Sequence, residues 1–185
     1  LRYPRAFVET DQLDQRDIYG STKACADHLA RAFAASYDLP IVALRHTNCY
    51  GPADPHASHI VTATMLALLE GRAPVILSNG TPTKGYIYVD DLIAAYLAAA
   101  PLAVTAPDAY NVADTGATLW VLALVDLCIQ AAGVDVVPDV QGVDLSQSGY
   151  VEALNPSKFQ QATGWGSWMV MCANERERLV NALNA

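Results

Sequence analysis

Apolar residues along this 185-residue chain fall into short blocks, and their period alternates between that of a helix and that of a buried strand. After an irregular opening, "GSTKACADHLARAFAASYD" (20–38) places Ala24, Leu29, Ala32, Phe33 and Ala35 roughly on one stripe, which predicts a helix. "IVAL" (41–44) is short, apolar and β-branched, as a strand buried in a parallel sheet would be. Gly51-Pro52 then breaks the chain into a loop. "HIVTATMLALLEG" (59–71) predicts a second helix with Gly71 at its C-cap.

"APVILSNGTPTKG" reads as a short strand and a turn-rich loop, and "YIYVDDLIAAYLAAA" as strand, cap and helix, with Asp90 or Asp91 in the N-cap role. The design repeats with a strand at 109–112 and a helix from 118 to 132 ended by Gly133. "VDVVPDV" suits an edge strand because Pro138 interrupts it. Two short helices follow, around "NPSKFQQATGW" and "NERERLVNAL". There is no internal repeat and no linker-like stretch. Strands alternating with helices predict an α/β protein with a mostly parallel sheet.

Composition narrows the function classes. A hydrophobic content of 52% describes a folded, soluble protein. The net charge is −8 and the only lysines are Lys23, Lys84 and Lys158, so no basic stripe exists to displace counterions from nucleic acid. A phosphorylated small molecule needs only one or two local cations and stays possible. Cys25, Cys49, Cys128 and Cys172 are widely spaced and read as reduced, mostly buried thiols in a cytoplasmic protein. No apolar run reaches the roughly 18 residues of a membrane span. His56 and His59 form H-x-x-H, and with no acidic or thiol third ligand expected beside them no metal site is assigned. Trp120, Trp165 and Trp168 are read as core or interface fillers.

The candidate chemistry stands at the head of the first helix, in "RDIYGSTKACADHLARAF" (16–33). Tyr19 and Lys23 are one turn apart and share a face. A free phenol is a poor base at neutral pH, and a nearby ammonium favours its phenolate. The pair therefore suits general acid/base work on a sugar hydroxyl. Y-x-x-x-K also arises by chance, with Lys23 merely solvating a helix flank.

Several segments together resemble the extended short-chain dehydrogenase/reductase family, the NAD-dependent nucleotide-sugar epimerases and dehydratases. "YGSTKACAD" is similar to its Tyr-x-x-x-Lys helix, "LRHTNCYGP" (44–52) to its R-x-x-N-x-Y-G-P strand end, and "YIYVDD" (86–91) to its Y-x-Y-V-x-D segment. "YNV" (110–112) resembles the strand before its substrate-domain helix, and "NPSKFQQATGW" (155–165) its D-x-S-K-x-x-x-x-L-G-W element. Within the family, the 4,6-dehydratases acting on CDP-glucose look closest. The resemblance implies the C-terminal part of a Rossmann-like parallel sheet, at 1–50 and 84–115, with a small α/β substrate-binding portion at 51–83 and 116–185.

The resemblance also implies roles. Tyr19 would take the sugar O4 proton as hydride leaves C4 for NAD, and Lys23 would assist Tyr19 and hold the nicotinamide ribose. Asn48 would contact the nucleotide sugar, though an Asx-type turn before Gly51 is the plain alternative. Lys84 stands where the family usually carries arginine for the substrate's phosphates, and Gly85 replaces an aspartate. Lysine still neutralises phosphate but loses the bidentate fork. Arg45 and His46 receive no role.

Nothing before Tyr19 resembles the family's G-x-x-G-x-x-G turn, whose helix N-terminus holds the dinucleotide's pyrophosphate. The residues that separate a 4,6-dehydratase from a 4-epimerase have no counterpart here, and Glu9 and Asp11 are not substitutes. The expectation is a part of a larger fold, with apolar surface left on the Tyr19–Tyr37 helix. It would function as a homodimer or in association with an N-terminal half. A non-catalytic module that binds nucleotide sugar is the third alternative.

Overall fold

Asp17 opens the first helix, α1 (Ile18–Tyr37), its carboxylate accepting the Gly20 N–H at 2.7 Å. Asp38 closes it in the left-handed region at φ 52°, donating its N–H to the Ala34 carbonyl. The computed structural model describes residues 5–13, 17–114, 118–143 and 151–167. Beyond α1 come β1 (Ala43–His46), β2 (Asn48–Tyr50), α2 (Ile60–Leu69), β3 (Val75–Ile76), β4 (Thr83–Tyr88), α3 (Val89–Ala99), α4 (Leu102–Thr105) and β5 (Ala109–Val112). β6 (Thr118–Trp120), α5 (Val121–Ala132), β7 (Asp139–Val140), β8 (Val151–Glu152) and α6 (Ser157–Thr163) complete the described elements. The fold is mixed α/β with parallel strand pairs, as the alternating pattern led us to expect.

One stretch of chain serves two sheets. β1 runs parallel to β5, Ala43 beside Ala109 and His46 beside Val112. Thr47 gives its N–H to the Val112 carbonyl at 3.3 Å, and the next residue begins β2, parallel to β4 with Asn48 beside Tyr86. β4 also takes β6 antiparallel and β8 parallel, with Lys84 beside Leu119 on one edge and Glu152 on the other. Thr47 is therefore the crossing point between sheets. It is 2% exposed, and a Cβ built on Gly85 would lie 2.5 Å from its methyl carbon. The departure from aspartate at position 85 thus has a steric cause: the buried Thr47 side chain occupies the space that a side chain at 85 would need.

Several sets of apolar contacts hold these layers. Ile87, Leu92, Ala95, Ala99, Tyr110, Val112, Phe159 and Trp165 pack together, joining α3 and α6 to β4 and β5. Met65, Cys128 and Ala131 join α2 to α5, and Ile76, Val121, Val125 and Ile129 set α5 against β3.

Several expectations change. The helix placed at 118–132 begins at Val121, because Thr118–Trp120 is drawn into a strand by the free edge of β4. Tyr88, not Asp90 or Asp91, occupies the N-cap position of α3; both aspartates lie in its first turn, where they favour the helix dipole. The second helix stops at Leu69, and Gly71 closes it as expected, at φ 68° with its N–H on the Leu68 carbonyl and the Arg72 N–H on the Ala67 carbonyl. The strand expected at 41–44 runs from Ala43 to His46, and the edge strand shrinks to Asp139–Val140 after Pro138. Trp120 is 63% exposed, which leaves the interface alternative of its core-or-interface reading, whereas Trp165 is buried. Of the thiols, Cys128 is buried, Cys49 half-buried and Cys25 exposed, against the expectation of mostly buried thiols. Trp168, Cys172 and the "NERERLVNAL" helix lie outside the described residues. Among the described residues no helix is long and apolar enough to cross a membrane.

Candidate active site

The α1 helix touches the rest of the protein along a narrow stripe. Gly20, Ala24, Asp27, Ala30 and Ala34 are half-buried, and no α1 residue is fully buried. Of the stripe expected from the sequence only Ala24 faces inward; Leu29, Phe33 and Tyr37 point outward, the two rings stacked at 5.6 Å. The inward stripe is built of small residues, so hydrophobicity does not reveal it.

Arg45 of β1 pins the helix. Its guanidinium grips Asp27 with both arms, at 3.0 and 2.8 Å, and donates a further bond to the Glu9 carbonyl at 2.9 Å. Burial raises the Asp27 pKa, but the Arg45 hydrogen bond and charge outweigh it, with help from Arg31, and hold the carboxyl below its ordinary range. Glu9 in turn accepts the Asn111 N–H at 2.8 Å, tying the opening segment to β5. Asp11 is drawn down to about 2 by its hydrogen bond from Arg5.

Asp27 meets the third residue of β1, and Arg31, one turn later, lies within electrostatic reach of Asp108 just before β5. α1 therefore runs antiparallel to these strands. Tyr19, two turns before Asp27, lies toward their C-terminal end, where open α/β sheets bind ligands. There the expected pair is assembled: the Lys23 ammonium stands over the Tyr19 ring, 5.4 Å from its centroid, and Tyr19 is 72% exposed. A phenol and an ammonium on one open face form a donor set that fits the hydroxyls of a nicotinamide ribose. No G-x-x-G-x-x-G turn for the pyrophosphate occurs in the chain.

Asn48 and Lys84 come together on a different surface. Residues in register across parallel strands project to the same side, and side chains alternate along each strand. Asn48, Lys84, Tyr86 and Glu152 accordingly share one face of the β2–β4–β8 sheet. The Asn48 amide donates to the Gly85 carbonyl at 3.0 Å and to a Glu152 carboxylate oxygen at 3.1 Å. It is thus an inter-strand bridge and not the Asx turn weighed as its alternative. Burial pushes the Glu152 carboxyl up; the Lys84 charge and the Asn48 bond oppose this without cancelling it. Tyr86 is 2% exposed, its phenol is pushed well above the ordinary value by burial and by the Glu152 charge, and its hydroxyl has no hydrogen-bond partner among the described residues. Among the described residues no hydrogen bond or ion pair joins this group to Tyr19 or Lys23. Glu152 was not singled out from the sequence, although a lone acid in "YVEAL" between apolar neighbours carries the signal.

The two histidines have an acidic neighbour after all. Asp54 accepts from His59 at 2.8 Å, from the His56 N–H at 3.0 Å and from Thr62 at 3.0 Å. The imidazole rings lie 4.8 Å apart just ahead of α2. Burial raises the Asp54 pKa, but these hydrogen bonds win and lower it overall. Among the described residues no group of His, Cys, Asp and Glu is arranged to hold a metal ion.

A family model described as the NAD dependent epimerase/dehydratase family matches residues 4–113. dTDP-glucose 4,6-dehydratase 1 of Escherichia coli is 33% identical over 85 residues, covering 46% of this chain and 23% of that protein. dTDP-glucose 4,6-dehydratase of Mycolicibacterium smegmatis is 34% identical over 91 residues, covering 49% and 27%. Among solved structures, UDP-glucuronic acid 4-epimerase from Bacillus cereus, with UDP-glucuronic acid and NAD, superposes with a TM-score of 0.83 at 20% identity over 99% of this chain and 57% of its own. dTDP-glucose 4,6-dehydratase from Bacillus anthracis, in complex with NAD, gives 0.80 at 21% identity over 97% and 56%. The chain thus spans about a quarter of the length of these curated relatives and just over half that of these structures.

Proposed function

Because the chain belongs to the NAD dependent epimerase/dehydratase family, we propose that it carries the acid/base pair and part of the substrate site of an NAD-dependent nucleotide-sugar 4,6-dehydratase. The observation that carries this reading is the Tyr19–Lys23 pair, stacked on an open helix face at the C-terminal end of the strands. In this reading segments 1–50 and 84–115 hold the pair, and 51–83 and 116–185 cover the substrate.

Tyr19 removes the proton from the sugar O4, and the Lys23 charge beside the ring favours the phenolate that does so. The same two side chains hold the nicotinamide ribose. NAD, when bound, supplies the acceptor for hydride from C4 and its return to C6 after water is lost across C5–C6. Asn48 and Lys84 contact the diphosphate side of the nucleotide sugar. The substrate is CDP-glucose-like, as the motifs suggest; the dTDP-glucose dehydratases among the relatives make that nucleotide the first competitor to test. The outer face of α1 is covered by a second copy or by a dinucleotide-binding segment. Free thiols at Cys25, Cys49 and Cys128 suit a reducing cytoplasm.

A 4-epimerase is the second reading, favoured by the superposition on the Bacillus cereus epimerase. Incubating the protein with NAD and each of CDP-, dTDP- and UDP-glucose separates the two. A 4-keto-6-deoxy product supports the dehydratase, the 4-epimer supports the epimerase, and no product with any of them overturns both.

A further inference from the structure

The sheet face that carries Asn48 and Lys84 holds a second charged group whose sign is wrong for a simple phosphate cradle. Glu152 is the register partner of Lys84 across β4 and β8, so both project from the same side, and its carboxylate takes a hydrogen bond from Asn48 at 3.1 Å. Among the described residues no ion pair joins it to Lys84, so its charge is not consumed by a direct contact. Beside them on the same face the Tyr86 hydroxyl is buried and has no hydrogen-bond partner among the described residues.

A carboxylate accepts hydrogen bonds and donates none. A sugar hydroxyl can donate to it; a phosphate oxygen near neutral pH cannot. A diphosphate esterified at both ends carries one negative charge per phosphorus. The free nucleoside diphosphate ends in a monoester-like phosphate whose second ionisation lies near pH 6, so it carries close to one charge more. Set beside Glu152, that extra charge is repelled, while the sugar of the diester offers hydroxyls in its place.

We propose that Glu152 is a specificity-determining residue of this site, making it hold a nucleoside diphosphate esterified to a sugar in preference to the free nucleoside diphosphate. The inference rests on the reading of Asn48 and Lys84 as diphosphate contacts and adds to it the selectivity of the site. In that role Lys84 attracts both ligands alike and Glu152 turns one away, so affinity and selectivity reside in different side chains.

The test is isothermal titration of the protein, in its wild-type, Glu152→Gln and Lys84→Met forms, with CDP-, dTDP- and UDP-glucose and with CDP, dTDP and UDP. The glutamine variant keeps an acceptor for Asn48 and removes only the charge; circular dichroism checks its fold. Wild type should bind the sugar nucleotide about tenfold more tightly than the matching diphosphate, a ratio in keeping with one like-charge contact near a protein surface. In Glu152→Gln that ratio should fall close to one, chiefly because the diphosphate binds more tightly. Lys84→Met should weaken both ligands and leave the ratio in place. An unchanged ratio in Glu152→Gln, with both ligands still binding, overturns the role of Glu152 alone. If no sugar nucleotide binds to wild type, the reading of the site fails and this inference falls with it.

Discussion

The two halves of the proposed site are built in opposite ways. Tyr19 and Lys23 ride on a helix that buries no residue and touches the sheet through alanine, glycine and one ion-paired aspartate. Asn48, Lys84 and Glu152 are held by strand register, with Thr47 and Gly85 in contact behind them and a buried Tyr86 alongside. On the helix, position comes from a local i,i+4 repeat and a single guanidinium clamp. On the sheet, it comes from three strands distant in sequence. Open helix residues leave room for a cofactor and a moving proton. Sheet residues fix where a ligand sits.

Gly85→Ala should have the largest effect, because its new Cβ would lie 2.5 Å from a buried Thr47 methyl that has nowhere to go. We expect a loss of about 1–3 kcal/mol in urea unfolding, together with weaker nucleotide-sugar binding as β2 shifts away from β4. Normal stability and affinity would mean the strand face tolerates movement as readily as the helix does.

Arg45→Ala removes the clamp between α1 and β1 and leaves Asp27 without its bidentate partner. A loss of about 2 kcal/mol is expected, and the pH dependence should change with it. The native pKa of Asp27 is lowered, so its contribution is complete above the ordinary value of 3.8 and is lost as pH falls through the native value. Arg45→Ala should flatten that acid limb. Glu152 runs the other way: its native pKa lies above the ordinary 4.5, so stability declines as pH rises from there through the raised value. Stability measured against pH in Glu152→Gln should lack that decline.

The smallest effect belongs to the outer face of α1. Phe33 is 50% exposed, and Phe33→Ser should change stability by no more than about 0.5 kcal/mol. It should reduce self-association in sedimentation velocity. A loss as large as that of Gly85→Ala would mean the face is packed within the folded chain itself.

What the sequence made legible follows the same division. The α1 helix and the strand at 109–112 depend on residues close together in the chain, so local pattern locates them, and the Tyr19–Lys23 pair is picked out by its spacing together with the family resemblance. β6 was hidden because Thr-Leu-Trp becomes a strand only when the edge of β4 recruits it. Glu152 was hidden because its importance comes from lying across from Lys84, a relation no local pattern encodes. Gly85 looked like a lost aspartate until the approach of Thr47 gave it a reason. The inward stripe of α1 escaped notice because it is made of small residues and one charge, while the larger apolar side chains face outward.

The central claim is that Tyr19 is the working base of a site whose substrate contacts lie elsewhere, on the sheet. Tyr19→Phe removes one oxygen from an exposed ring and leaves the strand face untouched. Binding of the nucleotide sugar and its turnover with NAD should be measured side by side in wild type and in this variant. The account requires affinity within about twofold of wild type and a fall in turnover of at least about a hundredfold, the lower end of what a positioned general base contributes. Turnover retained in Tyr19→Phe would contradict it.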